Sequence, residues 1–409
     1  MSQNTTEELV SGYSNSDVGA VRHPDAPVSL QRIFLILFFG YFAFGTLFQV
    51  FPPVLNELQT EFALDNSRAS LVMSIFLAPI VLLALPSGLA VDRWGPAPAI
   101  RAGFGFMIAG VLVTLLTSAW SFLLIGRLVS GVGGALLLVS LLKVVAQSVP
   151  RAKLGLAVGI FAAGLPAGTV FAFNLLRPLD ALGGWRLVLA GAGVLILVAV
   201  LVFETAAGRA LPKGGAPVNL ARVLNDGAMW RLAVVTVFGY AAIVGFTTWA
   251  PKILESGVGV SAGVAALIAS LLLMIDIPFA PFWGGVSDRL EKRKLLILVA
   301  FGVYLAGSLL VPGLAAGGAV FFLVLVIVFM GIGCSMFFPA ALAIPAETVS
   351  QENCGAAYGM IFTAQVVGML IGPQVIGWVL DATAPTGAFL AISLLTFIGL
   401  MLSFFLRAR

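Results

Sequence analysis

The chain has 409 residues, of which 60% are hydrophobic and only 10% are charged, and its net charge is +4. A soluble domain carries about 25% charged residues, so this composition excludes an ordinary soluble protein. The sequence contains one histidine and two cysteines, from which neither a metal site nor a Ser/His/Asp catalytic set can be assembled. We therefore expect no enzyme activity and no cofactor.

Apolar runs of about 20 residues recur along the chain, and each is long enough to cross a bilayer core as a helix. They follow a polar segment, residues 1–31, which lacks the pattern of a signal peptide and is predicted to be a disordered cytoplasmic tail. Backbone polar groups in lipid must be satisfied within the segment, so we predict helices. The twelve predicted spans are 33–55, 70–91, 99–118, 120–142, 154–175, 186–203, 231–250, 262–287, 295–313, 318–339, 356–378 and 386–406.

The distribution of lysine and arginine predicts the orientation of the chain. Seventeen of these residues fall on the side that holds both termini, four fall on the other side, and Arg127 lies inside a span. Cytoplasmic loops carry the excess of basic residues, so we predict a multi-pass protein of the cytoplasmic (inner) membrane with both termini in the cytoplasm. Because the basic residues follow this topology, we expect the lipid bilayer and no nucleic acid as a partner.

Five short sequences recur in the same order about 196 to 200 residues further along the chain. They are FGY at 39–41 and 238–240, FPPVL at 51–55 and WAPKIL at 249–254, GLAVDRWG at 88–95 and GGVSDRLE at 284–291, GVGGA at 131–135 and GIGCS at 331–335, and GLAVG at 155–159 and GAAYG at 355–359. The polar linker 204–230 divides the spans six and six. Collinear matches within two six-span units indicate a parallel duplication.

The repeated motif after the second span resembles the motif that the major facilitator superfamily carries between spans 2 and 3. In that family it reads Gly, three residues, Asp-Arg, one residue and Gly, followed by basic residues. The first copy has Gly88, Asp92, Arg93 and Gly95, but Pro96 and Ala97 replace the basic pair. The second copy has Gly284, Asp288 and Arg289 and keeps basic residues at 292–294, but Glu291 stands where the first copy has Gly95.

The family's span-4 motif, an arginine before a glycine-rich stretch, is matched by Arg127 with Gly131, Gly133 and Gly134. From about residue 32 the whole chain resembles this family. The resemblance implies an all-α polytopic membrane protein with twelve transmembrane helices in two pseudo-symmetric six-helix bundles. The N-terminal bundle would cover residues 32–203 and the C-terminal bundle residues 231–409, around a cavity that opens to each side in turn by alternating access.

The two Asp-Arg motifs fall at tight cytoplasmic turns, where charges can pair across the two bundles. We interpret them as gating residues that hold the outward-facing state. The alternative is a pair of solvated turns whose arginines only follow the positive-inside rule. The predicted gating residues are Gly88, Asp92, Arg93, Gly284, Asp288 and Arg289.

Only Asp276, among eighteen acidic residues, lies near the centre of a predicted span. An ionised acid there costs roughly 2.5–3.5 kcal/mol, so it is expected to have a function. The repeat counterpart is Ile80, which indicates that the duplicated scaffold does not require an acid. We interpret Asp276 as a proton or cation site coupled to transport. The alternatives are a counter-charge for an amine on the solute and an acid paired with a polar neighbour.

Arg127 is the only basic residue away from the ends of a predicted span, and its repeat counterpart is Ile327. The resemblance implies that this arginine fastens helices and takes part in coupling. We therefore group Arg127 with Asp276 as a proton-coupling residue. Direct contact with the substrate is the alternative.

Spans 1 and 7 line the cavity in the family that the chain resembles. The predicted substrate-binding residues are Tyr41, Phe48, Gln49, Tyr240, Trp249 and Gln365. The alternative for the aromatic residues is packing, and for Trp249 it is an anchor at the membrane interface. Tyr41 and Tyr240 occupy matching places in the two repeats, which favours a shared function.

The cavity-lining spans contain few basic residues and few amides, which disfavours strongly anionic solutes and polyhydroxylated sugars. No glycine-rich ATP-binding loop is present, so the energy source is expected to be a gradient. We predict a monomeric secondary transporter that moves a small organic solute together with protons. The alternatives are proton-antiport efflux of drugs or metabolites and, in another class, a non-transporting receptor or scaffold.

Overall fold

The computed structural model describes residues 29–64, 66–116, 118–206, 211, 220–383 and 385–406. All regular structure in these residues is helical. The twelve long helices are α1 (Leu30–Phe48), α2 (Asn66–Trp94), α3 (Pro96–Leu115), α4 (Trp120–Ser148), α5 (Leu154–Phe171), α6 (Asp180–Ala206), α7 (Gly227–Val258), α8 (Ala262–Leu290), α9 (Arg293–Ala316), α10 (Val320–Thr348), α11 (Cys354–Ala382) and α12 (Pro385–Ser403). Each overlaps one predicted span. Residues 1–28 of the predicted tail, and residues 207–210 and 212–219 of the predicted linker, lie outside the described residues.

The length and hydropathy of these helices suit a membrane. Ten segments of the described chain are long and apolar enough to cross a bilayer. One of them, Arg151–Ala206, contains both α5 and α6. The apolar helix Gly387–Ser403, within α12, is shorter and is not one of the ten. The predicted all-α polytopic fold is therefore confirmed.

Helix contacts follow the sequence repeat. In the first half α1 packs on α5 and α6, and α4 packs on α2 and α3. In the second half α7 packs on α11 and α12, and α10 packs on α8 and α9, which is the same arrangement. The two six-helix bundles meet chiefly through α2 with α11 and α8 with α5, which are equivalent pairs. The duplication thus produces two pseudo-symmetric bundles, as predicted.

The turn after the repeated Asp-Arg motif contains a residue with positive φ in both copies, although ψ differs between them. Gly95, between α2 and α3, has φ +88°, and Glu291, at the equivalent place after α8, has φ +51°. Positive φ is free for glycine but costs energy for other L-residues. The second copy therefore keeps the turn with a residue that is poorly suited to it.

Candidate functional site

Asp276 lies on α8 in the interior of the molecule and is only 4% exposed. Its Oδ1 has no hydrogen-bond partner within the described residues. Three residues lie near enough to interact with it electrostatically, namely Tyr41, Tyr240 and Cys334. The three carry no formal charge in their ordinary protonation states. Asp276 is therefore a buried acid without a counter-charge among the residues that the structure describes.

The side chains of Tyr41 on α1 and Gln365 on α11 lie close to each other across the two bundles. Both are buried, at 4% and 2% exposure. The Gln365 Oε1 has no hydrogen-bond partner in the part of the chain that is described. The Tyr41 ring stacks on Phe161 of α5 with a centroid distance of 4.2 Å, and this contact fixes its orientation.

The central cluster (Tyr41, Tyr240, Asp276 and Gln365) thus combines aromatic surface with two unpaired acceptor oxygens. Buried polar atoms in proteins are almost always hydrogen-bonded, so unpaired ones call for an explanation. Either protonation of the carboxyl or a donor N–H or O–H on a solute would satisfy these oxygens. The arrangement can therefore bind a proton and a hydrogen-bond donor.

Arg127 on α4 is 2% exposed and does not pair with an acid in the described structure. Its guanidinium donates to the backbone carbonyls of Leu47, Phe48 and Val72, at 2.7, 3.0 and 3.0 Å. It also lies over the ring of Phe76, 4.2 Å from the centroid. These contacts fasten α1, α2 and α4 together. The predicted coupling role of Arg127 stays a prediction.

The other predicted substrate-binding residues have partners of their own outside the central cluster. Phe48 stacks on Phe76 beside Arg127, with centroids 5.5 Å apart. Gln49 is the C-cap of α1. The Trp249 indole donates to the backbone carbonyl of Pro373 on α11 at 2.8 Å, as a packing anchor does. Substrate binding by these three residues stays a prediction.

The predicted gating residues lie at one end of the molecule, which we call the junction end. In junction 1, the Asp92 carboxylate at the end of α2 accepts from the N–H groups of Gly355 and Ala356 at 2.8 and 2.9 Å. These N–H groups open α11 and have no partner within that helix. The Lys143 ammonium on α4 donates to Asp92 and to the backbone of the turn Gln351–Asn353 that precedes α11.

Junction 2 is the repeat equivalent, between α8 and the start of α5. The Asp288 carboxylate accepts from the N–H groups of Gly155 and Leu156 at 2.7 and 2.8 Å. Arg293, at the start of α9, pairs with Asp288 at 2.7 Å and with Glu347 at 2.8 Å. Both aspartates of the repeated motif thus bind the N-terminus of a helix in the opposite bundle.

Glycines permit this approach of the bundles. Gly88 faces Gly355 in junction 1, and Gly155 faces Gly284 in junction 2, which is the repeat equivalent. A Cβ at any of these four glycines would collide with backbone or side-chain atoms of the facing helix. Small residues at helix interfaces allow such close packing. The motif arginines Arg93 and Arg289 are exposed, so in this structure the aspartates and glycines, rather than the arginines, make the junctions.

Sequence reasoning missed Lys143 and the network around Arg293. Lys143 stands one residue beyond the predicted fourth span and was counted only as a cytoplasmic charge. Its partners include backbone carbonyls, which leave no mark in the sequence. The sequence signal for Arg293 is the run of basic residues after the second motif copy. This run indicates the motif and the membrane topology, but it does not indicate the partners of Arg293.

The opposite end of the molecule carries an ion pair outside the spans. Glu61, on the short helix Leu55–Phe62, bonds Arg186 at 2.7 Å and accepts from the Trp185 indole at 2.6 Å. The hydrogen bond from Arg186 lowers the pKa of the Glu61 carboxyl below its ordinary value of 4.5. Within the described residues no group of three or more His, Cys, Asp or Glu could hold a metal ion.

Comparison with known proteins agrees with this architecture. The family model of the Major Facilitator Superfamily matches residues 37–276 and 251–409. The nitrite extrusion protein of Bacillus subtilis (strain 168) is 22% identical over 369 residues, which cover 90% of each chain. The human lysosomal dipeptide transporter MFSD1 is 22% identical and aligns over 91% of this chain and 87% of its own.

A solved structure shares the fold. The proton:xylose symporter XylE, bound to 6-bromo-6-deoxy-D-glucose, superposes with a TM-score of 0.74 and 15% identity, over 92% of this chain and 96% of its own. Members of the matched family are non-enzymatic carriers embedded in membranes by many helices. The two matched parts of the family model overlap and together cover most of the chain. The chain therefore belongs to the major facilitator superfamily of secondary transporters.

Proposed function

We propose that this transporter moves a small organic solute without net negative charge by proton-coupled symport, with Asp276 as the proton site. The observation that carries the proposal is the buried Asp276 carboxyl, whose Oδ1 has no partner within the described residues. A proton symporter shares this fold, so the coupling mode is compatible with the architecture.

The unpaired carboxyl explains why proton and solute would travel together. Within the described residues an ionised Asp276 lacks a counter-charge, and its Oδ1 lacks a hydrogen bond, so the charge is costly to bury. Protonation removes the charge and supplies an O–H donor for a neighbouring acceptor or a solute. The neutral form would then cross with the solute as the bundles move, and the proton would leave when water reaches the site.

The charges around the site favour a neutral or cationic solute. The buried basic residues of the described chain are Arg127, Lys143 and Arg293, and all three are engaged with carbonyls or carboxylates. No buried cation therefore remains to bind an anion. The unpaired oxygens of Asp276 and Gln365 instead match a solute that brings N–H or O–H donors, which nitrite and carboxylates lack.

The junctions provide the moving part of the cycle. We propose that the junction end faces the cytoplasm, because the loops on that side carry most of the Lys and Arg residues. With both junctions formed, that side is closed. Opening it would break the bonds of Asp92 and Asp288 to helices α11 and α5, and the bundles would rock about the central cluster. Cytoplasmic termini and an inner-membrane location are part of this proposal.

The same carboxyl supports a second candidate, proton-antiport efflux. A cationic amine and a proton would compete for the single acid Asp276, because no second acid is buried in the central cluster. Competition for one site produces exchange rather than cotransport. The charge of the transported solute therefore decides between symport and antiport.

The test is transport by the purified full chain in proteoliposomes, screened against neutral amides, amino acids, amines, monocarboxylates and nitrite. Solute flux and internal pH are recorded together, with and without a pH gradient. The variant is Asp276→Asn, which keeps the shape and cannot take the proton. The matched control is Asp226→Asn, where the acid caps α7 by accepting from the Ala228 N–H and asparagine is an equally good cap.

The expected result is solute-dependent proton entry in the wild type and in the control. Asp276→Asn should bind the solute and lose proton movement. Proton exit during solute entry would favour the antiport candidate. Unchanged proton movement in Asp276→Asn, or transport restricted to nitrite and carboxylates, would overturn the proposal. Solute binding without flux in the wild type would favour the receptor alternative.

A further inference from the structure

The residue that the function proposed above leaves unexplained is Lys143. It lies on α4 at the junction end and is 1% exposed. A lysine is almost never buried in this way unless its ammonium is fully paired. The contacts of that ammonium therefore indicate its function.

The Lys143 Nζ has three acceptors, which equals the number of its donors. One is Asp92 Oδ1 at 2.5 Å, in the same bundle. The other two are the backbone carbonyls of Gln351 and Glu352, in the opposite bundle, the second at 3.4 Å. The lysine thus links the two bundles directly, in addition to pairing with Asp92.

Junction 2 uses its cation differently. Arg293 donates to Ser287, Asp288 and Glu347, and all three belong to the same bundle as Arg293. It orients the Asp288 carboxylate, but these bonds do not reach the N-terminal bundle. Among the residues that the structure describes, the hydrogen bonds that cross junction 2 are those from Gly155 and Leu156 to Asp288.

The repeat explains how the two junctions diverge. The offset of 196 between the motif copies places Ala97 at the position of Arg293. The offset of 200 between α4 and α10 places Gln147 at the position of Glu347 and Ala343 at that of Lys143. Junction 1 therefore lacks both the cation and the second acid of junction 2, and it has Lys143 one helical turn before Gln147 instead.

We propose that Lys143 is a positioning residue of the transport cycle, whose ammonium holds junction 1 closed by binding carbonyl oxygens of the opposite bundle. Arg293 has no such function, because its hydrogen bonds lie within one bundle. Opening of the junction end must then break the carbonyl bonds of Lys143, so junction 1 sets the stability of the closed form. The inference rests on the alternating access proposed above and is independent of the proton site.

The experiment measures the separation of the bundles at the junction end. Trp94 and Leu290 occupy equivalent positions at the ends of α2 and α8 and are 59% and 48% exposed. Cysteines at these two positions carry spin labels, and distances are recorded by double electron–electron resonance in lipid nanodiscs. Both native cysteines are buried, and the parent without introduced cysteines gives the labelling background. No solute or pH gradient is needed, so a failure of symport does not affect the measurement.

The variants are Lys143→Met and the matched Arg293→Met. Lys143→Met should raise the ratio of separated to closed bundles about tenfold, which corresponds to about 1.4 kcal/mol. Arg293→Met should lower the melting temperature with at most a twofold change in that ratio. Lys143→Met combined with Ala97→Arg and Gln147→Glu, which copies junction 2 into junction 1, should not restore the closed form.

A second pair covers the case in which Lys143→Met fails to fold. Asp92→Asn with Lys143→Met leaves no lone buried charge, and Asp288→Asn with Arg293→Met is its matched counterpart. The first pair should separate the bundles more than the second. Equal separation in the two pairs, or an unchanged distance distribution in a folded Lys143→Met, would overturn the proposal.

Discussion

Replacement of Arg127 tests whether this arginine fastens helices or couples protons. Its guanidinium donates three hydrogen bonds, to Leu47, Phe48 and Val72. The first two carbonyls lie at the C-terminal end of α1, where the last four carbonyls of a helix lack partners within it. A cation at this place also interacts favourably with the helix dipole. We therefore expect Arg127→Met to weaken the attachment of α1 to α4.

The size of the effect follows from these bonds. Two buried carbonyls left without donors cost about 1–3 kcal/mol each. The loss is partly offset because a charged group no longer has to be buried. A net destabilisation of about 3 kcal/mol remains, which for a chain of this size lowers the melting temperature by about 3–4 °C. Arg127→Lys should be intermediate, because an ammonium lacks the planar fork that reaches several carbonyls.

The assay combines thermal melting in detergent with proton movement in proteoliposomes. Arg151→Met is the control, since Arg151 is an exposed arginine in the turn before α5. The Arg127 variants should melt earlier and keep the proton-to-solute ratio of the wild type. If an Arg127 variant melts within 1 °C of the wild type and loses proton coupling, the fastening argument is wrong and Arg127 belongs to the coupling site.

Three further predictions concern backbone fit and charge. Glu291→Gly should increase the free energy of unfolding by about 1 kcal/mol and raise the melting temperature slightly, because a backbone with φ +51° suits glycine. Gly159→Leu should separate the bundles in the spin-label assay, because its side chain would meet the backbone of Ala280 on α8. The Glu61–Arg186 pair should stabilise the protein above pH 4.5 and lose this effect as the pH falls through the lowered pKa of Glu61. The melting difference between wild type and Arg186→Gln should therefore vanish in acid, and a constant difference would contradict the argument.

The helices and the duplication are readable from the sequence because lipid imposes a length and a composition on every span. Asp276 can be identified from the sequence for the same reason, because an acid within an apolar span is costly and is therefore expected to have a function. The sequence also placed Tyr41, Tyr240 and Gln365 near the cavity. It did not separate them from Trp249, whose indole bonds a backbone carbonyl of α11, because side-chain type alone does not reveal such a partner.

Backbone partners also explain why the sequence did not reveal the contacts of Lys143 and Arg127. Both use carbonyl oxygens as acceptors, and every residue carries a carbonyl, so no residue pattern marks the site. The predicted gating residues were identified through the repeated motif, but their bonds to the first N–H groups of α5 and α11 depend on where those helices begin. Helix ends are the least certain part of any prediction from sequence.

The repeat offers a way to separate common machinery from specific function. Asp92 and Asp288 occur in both copies and bind equivalent helix ends, so in the proposed cycle we assign them to the movement that the two bundles share. The positions that correspond to Asp276 and Lys143 in the other copy of the repeat are occupied by Ile80 and Ala343. A buried charge that only one copy has is not required by the packing of the scaffold, and its burial must be offset by something specific. For Lys143 the compensation comes from three oxygen acceptors, of which the two backbone carbonyls lie across the bundle interface. For Asp276 the described structure contains no such partner, and in the proposed function the proton or a donor group of the solute takes that place.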